Sequence, residues 1–222
     1  MKRSEINRYI LETGDFFTRH GFYLPVWAQW SPQEWETKGP ECREVVTNGL
    51  GWDITDFGSN DFLHEGLALV TLRNGNIRLD RKPYCEKIMM VRKGQVTPIH
   101  FHWKKMEDII NRGGGELCMR LWQADADEEL SDKPCTVRLD GVETTVPAGE
   151  TLRLAKGRSI TFTPYLYHTF WAEGEDCLVG EVSTVNDDTN DNRFYTPLGR
   201  YPAIDEDEPA RFLLCNEYPT LK

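Results

Sequence analysis

Apolar residues recur at helical spacing near the start of the chain and at strand spacing over most of the remainder. Ile6, Ile10, Leu11 and Phe17 line one stripe ending at His20-Gly21, which predicts a helix capped by Ser4. His20 then falls in the last turn, facing the negative end of the helix dipole. Tyr23 to Trp30 is aromatic and reads as extended. Ser31, Pro32, Gln33 and Glu34 combine an N-cap, an N1 proline and a capping box, so a short helix should start there. Lys38-Gly39-Pro40 ends it, and Glu41 to Asn48 reads as another brief helix closed by Gly49. Residues 1–50 are therefore expected to form a mainly helical extension.

From Gly51 onward the period shortens. Trp52, Ile54 and Phe57, then Leu67 to Leu72, have strand character, and Asn74-Gly75 predicts a hairpin turn into Ile77-Arg78-Leu79. Lys87 to Val91 is an apolar strand, and Glu116 to Gln123 alternates. Asp125 to Asp132 reads as a solvated acidic turn. Val137 to Leu139 and Val142 to Val146 flank Asp140-Gly141 as a second hairpin, with a Pro147-Ala148-Gly149 turn after it. Leu152 to Leu154, Ser159 to Thr163, His168 to Ala172 and Cys177 to Ser183 complete a series of short, evenly spaced strands. The fold class is thus mainly β, a double-sheet jelly roll or barrel over residues 51–192, followed by an irregular tail, 193–222, that could wrap the barrel or a partner subunit. The whole reads as a single domain.

Composition narrows the setting. The 222 residues suffice for one real core, and a hydrophobic content of 39% with seven Trp and ten Phe is globular. A net charge of -10 argues against nucleic acid and anionic membranes as partners. No apolar run is long enough to span a bilayer, and the first residues lack the apolar run of a signal peptide, so the expected location is cytoplasmic. The six cysteines contain no CxxC pair and read as reduced, buried thiols.

The chemistry concentrates between Gly94 and Gly114. Side chains alternate faces along a strand, so His100 and His102 point the same way. Glu107 follows where the chain should turn into the next strand. Two imidazoles and a carboxylate form a nitrogen/oxygen site suited to a divalent first-row ion. Of the two lysines between them, Lys104 and Lys105, at least one should be a surface residue, and Lys105 is preferred as a neighbour of the metal. Glu181 is a charge inside the apolar run Leu178 to Val182, so it should be paired, face a cavity or point outward. The run Thr184 to Phe194, with Asp187 and Asp191, is either an Asx-rich loop or a hydroxyl-binding rim. Phe170 and Trp171 could wall a cavity or belong to the core, and His64 lies outside these motifs.

The spacing Gly94, His100, His102, Glu107, Gly114 resembles the first metal motif of the cupin superfamily at every interval. Gly157 to His168 is similar to the second motif and supplies a third histidine. It departs from the usual pattern at Thr163, where Pro is common, at Tyr165, where Gly is common, and at Ala172. Across essentially its whole length the chain resembles the D-lyxose isomerase family of sugar ketol-isomerases. The opening MKRSEINRYILE, the stretch HFHWKKMEDIINRGGGEL and the stretch GEVSTVNDDTNDNRF carry that resemblance.

The resemblance implies a cupin double-stranded β-helix acting as a homodimer. It implies a manganese-dependent enzyme interconverting D-lyxose and D-xylulose, with D-mannose and D-fructose as related substrates. It also implies His100, His102, Glu107 and His168 as metal ligands and Lys105 as a catalytic neighbour. Since no sulfur is among the ligands, Mn2+, Co2+, Fe2+, Ni2+ and Zn2+ all suit the set. A carboxylate should move the proton between C1 and C2 through a cis-enediol, with Glu181, Asp187 and Asp191 as the choices; a hydride shift is the competing route. Two other functions use the same motifs, an iron cupin dioxygenase and a non-catalytic sugar-binding cupin.

Overall fold

A computed structural model of the chain describes residues 1–79 and 81–221. The helical part comprises α1 (Arg3–Arg19), α2 (Pro32–Trp35) and α3 (Arg43–Thr47), with short 3-10 turns at Val26–Gln29 and Pro40–Cys42. Among the described residues eleven strands come after it: β1 (Gly51–Thr55), β2 (Leu67–Arg73), β3 (Tyr84–Val91), β4 (His100–Phe101), β5 (Glu107–Gln123), β6 (Cys135–Leu139), β7 (Val142–Val146), β8 (Leu152–Leu154), β9 (Ser159–Phe162), β10 (Leu166–Thr184) and β11 (Arg193–Phe194).

β5 and β10 organise the rest. They pair antiparallel from Leu166↔Gln123 to Ser183↔Glu107, interrupted by irregularities after Glu173 and Leu178. At the first irregularity Gly114 takes φ +85°, and a Cβ there would lie 1.9 Å from the Asp176 carbonyl. Glycine is required at this point because the strands bend through a close backbone approach. Beyond the bend β10 also pairs with β3, and before it with β4, so one long ladder serves both layers of a cupin-type barrel. The two strands expected at His168 to Ala172 and Cys177 to Ser183 are therefore one bent strand.

The sheet β1-β2-β3 is buried on both faces. Leu69, Met89, Val91 and Val179 point into the barrel, whereas Val70, Ile88, Met90 and Leu178 meet Ile6, Ile10 and Phe17 of α1. That double burial explains why Lys87 to Val91 reads as a continuous apolar run.

Several local expectations change. Lys2 is the N-cap of α1, and Ser4 lies inside the first turn, giving its N–H and hydroxyl to Asp207 at 2.9 and 2.7 Å. Leu11 stays partly exposed. Tyr23 to Trp30 is not extended throughout, since Val26–Gln29 is a 3-10 turn. Asn74-Gly75 makes no hairpin: neither residue has the positive φ of a type I′ turn, and β2 pairs instead with β1 and β3. Asn74 is buried and spends its amide on other segments, while Ile77 and Leu79 are exposed. Asp140 and Gly141, by contrast, take φ +52° and +81° and close the β6–β7 hairpin. In the acidic turn Glu128 is not simply solvated, for it accepts from the Trp103 indole at 2.7 Å and from Arg193 at 3.2 Å. The six cysteines are free thiols, and no described helix is long and apolar enough to cross a membrane.

The C-terminal tail folds back on this same chain. The Met1 amino group donates to the Ala203 carbonyl at 2.9 Å, and the Cys215 N–H to the Trp52 carbonyl at 2.8 Å. Arg3, buried under the tail, holds Glu206 at 2.6 Å and Glu217 at 2.5 Å. Arg3→Met should therefore cost roughly 2 kcal/mol, the range of a charge-assisted hydrogen bond, and speed proteolysis within residues 203–217. Urea melts and timed digests check this; unchanged digestion would show that the tail is held elsewhere.

Candidate metal centre

The register of β4 against β10 builds the centre. His100 and His168 are direct partners across that pair, with ring centroids 4.2 Å apart. His102 lies two residues beyond His100, its ring 5.3 Å from that of His100. One ligand atom from each of His100, His102 and His168 fits within a cluster no wider than 4.8 Å. Glu107 opens β5 and faces the cluster, its Oε1 3.4 Å from His102 Nε2 and 3.3 Å from His168 Nε2. His102, His168 and Glu107 are buried, and Phe162 stacks on the His168 ring at 4.3 Å.

Backbone carbonyls set the tautomer of all three rings. His100 Nδ1 lies 2.8 Å from the Pro98 carbonyl, His102 Nδ1 2.6 Å from that of Asp191, and His168 Nδ1 3.0 Å from that of Leu166. A carbonyl can only accept, so each Nδ1 carries the proton and donates it. In the neutral ring Nε2 then presents a lone pair. Burial, together with the neighbouring imidazoles, holds His100 well below its usual 6.5. Burial also takes His168 down to about 4, with Glu107 opposing. The lone pair on His168 Nε2 thus faces the carboxylate oxygen of Glu107 at 3.3 Å with no proton between them, and His102 Nε2 lies 3.4 Å from the same oxygen. Acceptors so opposed need a cation, and donor atoms at that separation suit a first-row ion with bonds of roughly 2 Å. The residues fit a divalent metal.

The second oxygen of Glu107 has a different duty. Lys105 Nζ lies 2.6 Å from Glu107 Oε2, 3.0 Å from Glu181 Oε1 and 3.3 Å from Asn186 Oδ1. Burial alone would depress the lysine, but Glu107 and Glu181 outweigh it and its pKa is raised. For Glu107 burial would raise the carboxyl, but Lys105 and then His102 prevail, holding it well below the usual range. Lys104 is exposed, so Lys105 is the lysine that faces the cavity.

Of the three carboxylates considered as base, the structure brings only Glu181 to the cavity. Asp191 is buried but accepts from the Lys104 and Lys105 backbone N–H groups, both at 2.9 Å, and its carbonyl takes the His102 Nδ1 proton. It shapes the turn that carries His102 and Lys105. Asp187 bonds Asn190 and lies outside the cavity lining. Phe170 forms part of the wall, whereas Trp171 turns outward beneath Arg120. His64 is exposed and paired with Asp61.

Three charged wall residues escaped the sequence reading. Lys87 sits 3.3 Å from Glu181, and Asp188 lies 3.3 Å from Arg200, which also binds Asp53 on β1. Burial opposes the Asp188 charge, but Arg200 and Lys87 keep its carboxyl well below the usual range. Lys87 carried the same signal as Glu181, a charge in an apolar strand. A second grouping, Glu116, Cys118 and Glu173, closes on Arg153, whose guanidinium reaches all three.

The sequence profile of the D-lyxose isomerase family matches residues 1–218. The chain belongs to that family. It is 53% identical to a D-lyxose/D-mannose isomerase of Escherichia coli O157:H7 and 51% identical to one of Serratia proteamaculans, covering 98% of each pair. Among solved structures, L-ribose isomerase of Cellulomonas parahominis with L-psicose superposes with a TM-score of 0.61 at 17% identity, covering 92% of this chain and 98% of that one. L-ribose isomerase of Acinetobacter sp. DL28 with L-ribose gives 0.61 at 15% identity over the same shares. These two establish the fold. Family membership makes the protein a sugar isomerase and sets aside the dioxygenase and the non-catalytic cupin.

The tautomers of this isomerase carry a pH consequence. His168 titrates at about 4 when folded and at 6.5 when unfolded, so in that interval the unfolded chain binds more protons. Metal-free protein should hold this contribution above about 6.5 and lose it as pH falls toward about 4, on the order of 3 kcal/mol for His168 alone. Calorimetric melts of chelator-treated protein across that span check it; a flat Tm would exclude buried neutral imidazoles.

Proposed function

We propose that this enzyme interconverts D-lyxose with D-xylulose, and D-mannose with D-fructose, using manganese held by His100, His102, His168 and Glu107. The observation that carries this reading is the convergence of three imidazoles and a carboxylate on one point, beside a second carboxylate, Glu181, that lines the same cavity. The names of the relatives support the substrates. A divalent ion at the four ligands would supply Lewis-acid polarisation of the sugar carbonyl.

The chain's own groups handle the protons. Glu181 takes the proton from C2 of the open-chain aldose, passing through a cis-enediol, and returns it to C1. Lys105, hydrogen-bonded to Glu181, gives a proton to the former aldehyde oxygen and regains one from the C2 hydroxyl. The aldehyde becomes an alcohol, C2 becomes a ketone, and no electrons leave the molecule. The lysine ammonium also holds Glu107 in its ionised form. Phe57, Phe170 and Phe194 form the apolar part of the cavity wall beside these groups.

Stripping the metal should abolish turnover of D-lyxose and D-mannose, and manganese should restore it. Glu181→Gln should lower kcat roughly 10²- to 10⁴-fold while metal content stays at the wild-type level. Turnover in deuterated water should label the product at C1. Product free of label after many turnovers would replace the proton route by a hydride shift, and a wild-type-like Glu181→Gln would remove Glu181 from the role of base.

A further inference from the structure

Resting on that assignment of Glu181, we infer that Lys87 and Asn186 are positioning residues that fix its carboxylate for proton transfer. Lys87 and Glu181 are Cα partners across β3 and β10, and both side chains are buried. Lys87 Nζ lies 3.3 Å from Glu181 Oε1 and 2.8 Å from Asn186 Oδ1. Lys105 Nζ reaches the same two oxygens at 3.0 and 3.3 Å. Two ammonium groups and two acceptor oxygens therefore alternate around one small ring.

Lys105 alone is a poor anchor for Glu181, because its shortest bond, 2.6 Å, goes to Glu107. Its grip is divided between a metal ligand and the base. Lys87 makes no contact with a metal ligand: its nearest partners are Asn186 at 2.8 Å and Glu181 at 3.3 Å, so it supplies a second cation to the same carboxylate oxygen. Because both lysines draw on Oε1, the other oxygen of Glu181 is the one left to meet the substrate.

Asn186 is itself held rigidly. Its backbone N–H donates to Asn74 Oδ1 at 3.0 Å, and its carbonyl accepts from Asn74 Nδ2 at 2.9 Å, so the Asn74 amide copies a backbone pairing. Asn74 is fixed in turn by Asn48, through bonds of 2.9 and 3.1 Å. The Asn186 amide nitrogen faces Asp188. That leaves Oδ1 aimed at the two lysines. A chain of side-chain amides thus runs from the end of the helical extension to the edge of the catalytic cavity, and it gives Asn74 a role in place of the expected hairpin turn. Misplacement of a reacting group by about 1 Å is worth on the order of 10²-fold in rate, so this support acts on kcat.

Lys87→Met, Lys87→Arg, Asn186→Ala and the double variant Lys87→Met/Asn186→Ala test the inference in the manganese-loaded enzyme. Lys87→Met should lower kcat about 10- to 100-fold, with KM within about threefold and metal content and Tm held. Lys87→Arg should recover most of the loss. Asn186→Ala should show a smaller drop in kcat, and the double variant should fall no further than Lys87→Met, because both act through one carboxylate. Deuterium exchange at C2 should slow in step with kcat. Wild-type kcat in Lys87→Met, or a loss that tracks KM or metal content, overturns the positioning role while the isomerase reading stands. Should Lys87→Met not fold, unchanged kcat in Asn186→Ala overturns it equally. Absence of aldose turnover in the wild-type protein would sink both readings together.

Discussion

Opposed lone pairs are the constraint around which this barrel is arranged. All three imidazoles turn Nδ1 to a backbone carbonyl, so Nε2 is the atom left to face the cluster, and on His100 and His168 burial keeps it free of a proton. A buried carboxylate oxygen stands 3.3–3.4 Å from two of them. Without a cation that cluster is repulsive, in a setting where unpaired polar groups are costly. The carbonyls of Pro98, Asp191 and Leu166 therefore matter as much as the rings, since they fix which nitrogen carries the proton and which faces the cluster. Two of these carbonyls belong to residues two positions before the histidine they hold. The third comes from the loop after β10, which is how the loop and the histidine cluster are locked together.

The rest of the cavity is a charge arrangement that keeps ionised groups ionised. Lys105 bridges Glu107 and Glu181, Lys87 backs Glu181, and Arg200 joins Asp188 to Asp53. Burial opposes the charge on Lys87, Lys105, Glu107 and Asp188, and partners of opposite sign hold each of them charged. Glu107 shows how finely this is divided: one oxygen faces imidazoles and the other an ammonium.

What could be read from the sequence was short-range. His100 and His102 share a face because side chains alternate along a strand, and Glu107 comes within the same turn. Family resemblance added His168, which spacing alone would not have paired with His100. The barrel was legible from strand lengths and turns, apart from the join within β10, where Gly174 and Gly114 mark a bend that composition reads as a loop. Long-range register was not legible. That Lys87 lies opposite Glu181, or that Asp191 caps the turn holding Lys105, depends on which strands meet and in what alignment. Asn74-Gly75 misled because its turn signal is local, whereas Asn74 is held by Asn48 and Asn186, 26 and 112 residues away.

Tyr165 illustrates how the site tolerates departures from its motif. It occupies the position where Gly is common and takes φ +62°, a conformation unfavourable for a bulky residue. Its backbone compensates: the N–H donates to the His102 carbonyl at 3.0 Å, and the carbonyl accepts from Ala124 and Gln123, both at 2.9 Å. The ring lies 5.1 Å from Phe101, the residue between the two histidines. A glycine would relieve the backbone but leave that contact empty. The strained residue is thus one that ties the second motif to the first, through the backbone of His102 and the ring of Phe101.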